Sequence, residues 1–145
     1  MNWKIPLFKT YSDLDDQKAV VKVLKRRTYW AVGPEIEQFE KKLAKFIGVK
    51  YALVFNSGTS ALHTLMLAHD IKGFDVIVPS FTFVATASTV ILAGGNPIFA
   101  ESEHDTFGLH IEDVESKITG KTKAIVQLHY GGFPAKDTIK LKDIA

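Results

Sequence analysis

The fold class is decided by the stretch Phe55-Asn56-Ser57-Gly58-Thr59-Ser60-Ala61-Leu62, in which a hydrophobic run passes through a turn of small residues into a helical pattern. Before the turn, Tyr51–Phe55 has the composition of a buried strand. After it, Gly58–His69 is predicted to form a helix. A strand that leads through so short a turn into a helix indicates the first half of a βαβ unit.

The chain after this stretch repeats the same order of strand and helix. Strands are predicted at Val76–Pro79, Pro97–Ala100 and Lys123–His129. Helices are predicted at Thr82–Leu92, at Ile111–Ile118 and from Lys136 onward. Strands that alternate with helices form parallel sheets flanked by helices, so the predicted fold class is α/β.

Two helices are predicted before the first strand. Ser12 is the expected N-cap of a helix that runs to about Arg27. Gly33-Pro34 opens a second helix, and Gly48 ends it.

The links between the predicted elements are short and polar, so no domain boundary is expected. We expect residues 1–145 to form a single incomplete domain, with N-terminal helices over 1–50 and the βαβ part over 51–145. The final residues Asp143-Ile144-Ala145 fall inside a predicted helix, and we therefore expect a truncated domain.

Composition excludes several classes of protein. The net charge is +2 and no basic stripe is interleaved with aromatic residues, so nucleic-acid binding is not expected. The chain has no cysteine, which excludes disulfides and thiolate metal sites and fits a cytoplasmic protein. Its histidines show no ligand spacing, so no metal is assigned.

Membrane insertion and export are not expected either. The segment Val76–Ala100 carries no charge and is long enough to span a bilayer, but prolines and glycines divide it into strand, turn, helix and strand. The start of the chain, Met1 to Pro6, has no signal-peptide pattern.

The turn before the first predicted helix of the βαβ part is a candidate anion site. Free N–H groups at a helix start bind anions, and the hydroxyls of Ser57, Thr59 and Ser60 add donors. Gly58 permits close approach of a phosphate. The alternative is that these residues only cap the helix. A P-loop at Gly120-Lys121-Thr122 is dismissed, because the motif requires glycine where Glu115 stands.

Two further candidates follow predicted strands, at the sheet edge where ligands of open α/β folds bind. Phe81 or Phe83 could offer an aromatic face to a flat cofactor, and the alternative is that both belong to the core. His129 would lie at the same edge, and the alternative is a purely structural histidine.

Seven segments together resemble, in order, the DegT/DnrJ/StrS family of sugar-nucleotide aminotransferases. They are Gly33-Pro34-Glu35 with Phe39-Glu40, Phe46-Ile47-Gly48-Val49-Lys50-Tyr51-Ala52, Asn56-Ser57-Gly58-Thr59-Ser60-Ala61-Leu62-His63, Val76-Ile77-Val78-Pro79-Ser80-Phe81-Thr82-Phe83, Ala93-Gly94-Gly95-Asn96-Pro97-Ile98-Phe99, Ile118-Thr119-Gly120-Lys121-Thr122-Lys123-Ala124-Ile125 and His129-Tyr130-Gly131-Gly132. The resemblance covers nearly the whole chain and well under half of a family member.

The resemblance implies pyridoxal 5'-phosphate (PLP) as cofactor, the large domain of the aspartate aminotransferase fold (fold type I) and a homodimer. It implies transfer of an amino group, typically from glutamate, to a nucleotide-linked keto sugar for surface or secreted polysaccharides. Thr59 and Ser60 match the positions that bind the cofactor phosphate, and Phe83 matches the ring that stacks on the pyridine. The expected cofactor-binding residues are Ser57, Gly58, Thr59, Ser60, Phe83 and His129.

Two catalytic groups of the family have no counterpart in this chain. Family enzymes hold PLP on a lysine in a Ser-x-x-Lys context, and no lysine here follows a serine or threonine at that spacing. The aspartate that keeps the pyridine nitrogen protonated is also missing, so no catalytic residue is assigned and the isolated chain is expected to be inactive. The alternatives are a sugar dehydratase relative, a non-catalytic sugar-phosphate or nucleotide-binding module, and a decayed or split reading frame.

The implied fold also predicts a strand order. In fold type I, Tyr51–Phe55 would lie at one side of the sheet and the next three strands at the other, with later strands between them. The isolated chain is therefore expected either to self-associate or to become ordered only together with further polypeptide.

Overall fold

The computed structural model describes residues 4–5 and 8–145. The expectation for Met1–Pro6 therefore falls mostly outside the described residues. The chain forms two compact units that divide between Val54 and Phe55. The single incomplete domain remains a prediction.

The first unit begins with helix α1 (Leu14–Arg26), and its N-cap is Asp13 rather than Ser12. Asp13 Oδ1 accepts hydrogen bonds from the N–H groups of Asp15 at 2.9 Å and Asp16 at 3.1 Å. The Asp16 carboxylate accepts one from Asp13 N–H at 3.0 Å. The prediction of Ser12 is wrong by one residue, because a carboxylate satisfies two free N–H groups and also opposes the helix dipole.

Helix α2 (Pro34–Ile47) has the predicted bounds. Pro34 occupies the first turn, where its missing N–H costs nothing. Gly48 ends the helix in the left-handed conformation (φ 81°), and its N–H donates to Ala44 O.

The predicted strand Tyr51–Phe55 is wrong: these residues belong to no strand of the described structure. A strand is defined by a neighbour that accepts and donates its backbone hydrogen bonds. Here the N–H of Val54 donates instead to the Glu40 carboxylate at 3.0 Å. Tyr51 and Leu53 are 76% and 72% exposed, so the alternating apolar residues are not covered.

The second unit contains a parallel sheet of three strands in the order β2-β1-β3. Strand β1 (Asp75–Pro79) is central, between β2 (Asn96–Ala100) and β3 (Thr122–Ile125). This agrees with the predicted α/β class and places the three later strands beside one another, as the fold-type topology implies.

Helices cover both faces of this sheet, because successive residues of β1 point to opposite sides. Val76 and Val78 pack with residues of α3 (Gly58–Ala68) and α4 (Ala85–Leu92). Ile77 packs on the other face with residues of α5 (Ile111–Lys117) and α6 (Thr138–Ile144), and these side chains of β1 have no exposed surface.

Three elements are shorter than predicted by two residues or more. Strand β3 stops at Ile125, instead of His129, since Pro79 at the end of β1 has no N–H and Ser80 N–H donates to Ala100 O at 2.8 Å. Helix α4 begins at Ala85, not Thr82, and α6 begins at Thr138, not Lys136. No helix within the described residues is long and apolar enough to cross a membrane.

Candidate functional site

A cleft of about 430 Å³ opens in the second unit, where the chain leaves the carboxyl ends of β1 and β3. This is the edge at which ligands of open α/β sheets bind. Its lining residues are mostly small or apolar: Gly58, Thr59, Leu62, Thr82, Phe83, Ala85, Thr86, Leu128, Tyr130 and Gly131.

The start of α3 presents free backbone donors to this cleft. Ser57 is the N-cap, and its Oγ accepts the N–H of Ser60 at 3.1 Å. The N–H groups of Gly58 and Thr59 make no hydrogen bond to any residue that the structure describes. Two unpaired N–H groups at a helix start, with the dipole behind them, form an anion-binding geometry.

The hydroxyls of the turn differ in their availability. Ser60 Oγ donates to Asn56 Oδ1 at 2.9 Å and lies 3.0 Å from Ser57 Oγ. Neither Ser57 nor Ser60 lines the cleft, whereas Thr59 does. The Thr59 hydroxyl has no hydrogen-bond partner among the described residues, which leaves it available to a ligand.

Phe83 lines the cleft and is 75% exposed. At the start of α4, the hydroxyl oxygens of Thr82, before the helix, and Thr86, in its first turn, lie 2.8 Å apart, and Thr86 is only 7% exposed. Because this hydrogen bond spans the segment that holds Phe83, it fixes the backbone from which the ring projects.

His129 does not line the cleft. Its Nδ1 accepts the N–H of Ala135 at 3.0 Å, which places the proton of the neutral ring on Nε2. The neighbouring residues Leu128, Tyr130 and Gly131 line the cleft instead. The sequence predicted a site residue in this segment at His129, because composition does not show which side chain turns towards the cleft.

None of the described residues that line the cleft is charged. Both α3 and α4 begin at its wall, α3 with Gly58 and Thr59 and α4 with Ala85 and Thr86. Each helix start carries a partial positive charge of about half an elementary charge. With no lining carboxylate to oppose these charges, the electrostatics of the cleft favour an anion.

Three aromatic rings pack together beside the cleft. The ring centroid of Phe81 lies 5.0 Å from Tyr130 and 5.4 Å from Phe107, and those of Phe107 and Tyr130 are 5.5 Å apart. Such tilted contacts at this spacing are attractive. Of the three, Tyr130 also lines the cleft, so this aromatic cluster supports one of its walls.

Comparison with known proteins identifies the family. A model of the DegT/DnrJ/EryC1/StrS aminotransferase family matches residues 11–145. The chain belongs to this family. Within it, the GDP-perosamine synthase of Vibrio cholerae is 37% identical over 141 residues, which are 97% of this chain and 38% of that protein.

Solved structures of related proteins have the same fold. The PLP form of the protein Spr1654 from Streptococcus pneumoniae matches 98% of this chain with a TM-score of 0.89 and 27% identity, over 36% of its own length. A GDP-4-keto-6-deoxymannose-3-dehydratase, whose structure contains PLP and glutamate, matches 96% of this chain with a TM-score of 0.83 and 27% identity, over 37% of its length. The chain thus spans less than two fifths of each of these relatives.

Proposed function

We propose that this chain forms the cofactor-binding part of a PLP-dependent aminotransferase that acts on a nucleotide-linked keto sugar. The single observation that carries the proposal is the pair of free N–H groups at Gly58 and Thr59, which open onto an uncharged cleft. Family membership supplies the class of reaction.

The residues of the cleft fit the cofactor. The phosphate would accept hydrogen bonds from the N–H groups of Gly58 and Thr59 and from the Thr59 hydroxyl. Ser57 and Ser60 would hold the turn in shape, since their hydroxyls are bonded to each other. Phe83, exposed at the cleft, would pack on the flat pyridine ring.

Bound PLP supplies the electron sink on which amino transfer depends, while the protein supplies position and electrostatics. In this chain, the helix start neutralises the phosphate and Phe83 orients the ring. His129 accepts a hydrogen bond from Ala135 and so stabilises the loop. It would support the cofactor site without contacting the cofactor. No Ser-x-x-Lys occurs in these residues, so the proposal assigns them cofactor binding and not proton transfer.

The amino donor, the acceptor and the assembly are part of the same proposal. Glutamate would supply the amino group, and the acceptor would be a keto sugar carried by a nucleotide, for surface or secreted polysaccharides. The protein would act in the cytoplasm as a homodimer. Support for the nucleotide-linked acceptor comes from the family and from relatives named GDP-perosamine synthase.

A sugar dehydratase is the second candidate. The similar structure of a GDP-4-keto-6-deoxymannose-3-dehydratase favours it, because that enzyme matches nearly the whole of this chain. Assay of the protein that carries this chain separates the two functions: an amino sugar indicates the aminotransferase, and a deoxy sugar formed with loss of water indicates the dehydratase.

The binding proposal is tested with the protein that carries this chain, by titration with PLP and with pyridoxal, which lacks the phosphate. Loss of the phosphate contacts should weaken binding roughly ten- to a hundredfold, the value of one or two hydrogen bonds to a charged group. Inorganic phosphate should compete with PLP. Equal affinity for PLP and pyridoxal would contradict the phosphate assignment, and phosphate binding without PLP binding would favour a non-catalytic module.

A further inference from the structure

We infer that Glu103 is a positioning residue for the cleft: its carboxylate shapes the turn 103–108 so that Phe107 packs against Tyr130 and fixes it in the cleft wall. The effect that we expect on ligand binding rests on the proposed function. The geometry that carries it lies entirely within the second unit.

The Glu103 carboxylate lies at the centre of this turn. It accepts the N–H groups of Asp105 at 2.6 Å, Thr106 at 2.9 Å and Gly108 at 3.2 Å, and also the Thr106 hydroxyl. A carboxylate that accepts four hydrogen bonds fixes the path of the backbone. Three of the donors are N–H groups of different residues in the turn, and the fourth is a side-chain hydroxyl of the same turn. The turn is therefore organised around one side chain.

A second set of contacts anchors the outside of the turn. Lys136 Nζ pairs with the Asp105 carboxylate at 2.7 Å, and Lys136 N–H donates to Thr106 Oγ1 at 3.2 Å. At Gly108, an added Cβ would lie 2.6 Å from that of Ala135. The turn is thus held from inside by a carboxylate and from outside by the segment that leads into α6.

The backbone of Phe107 is the consequence of these contacts. Its φ is 59°, in the left-handed region that a bulky aromatic residue rarely adopts. Such strain persists only where the surroundings impose it, and it clusters at functional sites. The Phe107 ring meets Phe81 and Tyr130 at 5.4 Å and 5.5 Å, respectively.

Tyr130 connects this turn with the ligand. It lines the cleft together with Gly131, and both belong to a short 3₁₀ turn, Tyr130–Gly132, with left-handed glycines. Nothing within the described residues donates to or accepts from its hydroxyl. The Tyr130 ring packs against Phe81 and Phe107, and displacement of Phe107 would remove one of these two contacts.

Fluorine NMR tests the positioning directly in the protein labelled with 3-fluorotyrosine. Tyr130→Phe assigns the Tyr130 signal, whose shift is sensitive to the ring currents of Phe81 and Phe107. Glu103→Gln, which keeps the size but removes the charge, should move this signal, and Phe107→Leu should move it in the same way. Glu112→Gln, an exposed glutamate on α5, is the matched control and should leave it unchanged.

Ligand binding gives the second readout. Glu103→Gln should weaken PLP binding roughly two- to tenfold, the value of a lost aromatic contact. In a Phe107→Leu background, Glu103→Gln should add little, because both changes release the same ring.

The outcomes separate the two proposals. An unchanged Tyr130 signal in a folded Glu103→Gln protein overturns the positioning role, as does full additivity of the two substitutions in PLP affinity. If the Tyr130 signal moves as expected and the wild-type protein binds no PLP, the positioning stands and the proposed function fails. Glu103→Asp should retain the wild-type signal in part, since its charge is kept.

Discussion

The hydroxyl oxygens of Thr82 and Thr86 lie 2.8 Å apart, one before α4 and the other in its first turn. The pair spans Phe83, the exposed ring at the cleft, and Thr86 is almost fully buried. A buried hydroxyl that contributes one hydrogen bond is worth about 1 kcal/mol to folding. It therefore links the stability of α4 with the shape of the cleft.

Thr86→Val should lower the free energy of unfolding by about 1 kcal/mol, because it removes the hydroxyl and leaves the volume nearly unchanged. It should also weaken PLP binding, since the backbone that carries Phe83 loses its constraint. Urea unfolding and a PLP titration measure the two effects. Ser88→Ala, on the same helix, is the control and should change neither; a normal PLP affinity in Thr86→Val would show that Phe83 is held in another way.

The stability of the second unit should depend on pH through Glu103. The hydrogen bond from the Thr106 hydroxyl, with those from three backbone N–H groups, lowers the pKa of this carboxyl from 4.5 to about 2. A lowered pKa in the folded state means that its stabilisation is present above the unfolded value of 4.5 and is lost as the pH falls towards 2.

Two other charged groups lie near Glu103. Asp105 and Lys136 form an ion pair at the same turn. The measurement is the free energy of unfolding between pH 2 and pH 6 for wild type and Glu103→Gln. The wild type should lose more stability than the variant on acidification. Equal losses would mean that Glu103 contributes nothing to the pH dependence of the free energy of unfolding.

The isolated chain of 145 residues should self-associate. The outer edges of β2 and β3 have no partner strand among the described residues, and large apolar side chains are exposed, among them Phe46 at 89% and Leu53 at 72%. Unpaired edges and apolar surface recruit other chains. Size-exclusion chromatography with light scattering measures the mass, and a monomer with a cooperative thermal transition would contradict this expectation.

Local patterns in the sequence predicted most of the second unit. The central strand β1 is buried from Val76 to Pro79 and flanked by short turns, so its apolar run was sufficient to predict it. The cap of α3 at Ser57 was also predictable, because capping residues and glycine form a local motif. Anion binding at this turn stays a prediction. Ser12 and Asp13 are both favourable N-cap residues. Which of them caps α1 depends on which side chain accepts hydrogen bonds from two N–H groups of the first turn.

Features that depend on distant neighbours were not predictable. Tyr51–Phe55 has a strand composition, but a strand exists only beside a partner, and Val54 donates to Glu40 instead. His129 and Tyr130 are adjacent, and which one faces the cleft depends on the contact of His129 with Ala135. The sequence pattern did not indicate the conformation of Phe107, because its left-handed backbone is imposed by the contacts of Glu103.

The most direct test of the phosphate site is the PLP affinity of Thr59→Glu compared with that of Thr64→Glu. A glutamate at position 59 suits the first turn of α3 and should preserve folding, but its charge opposes a phosphate on the Gly58 and Thr59 N–H groups. Thr64 is exposed on the same helix, and within the described part of the chain its hydroxyl donates to Ser60 O and to no other group. We predict that Thr59→Glu weakens PLP binding by roughly tenfold or more while Thr64→Glu retains it, and equal affinities of the two folded variants would contradict a phosphate site at this turn.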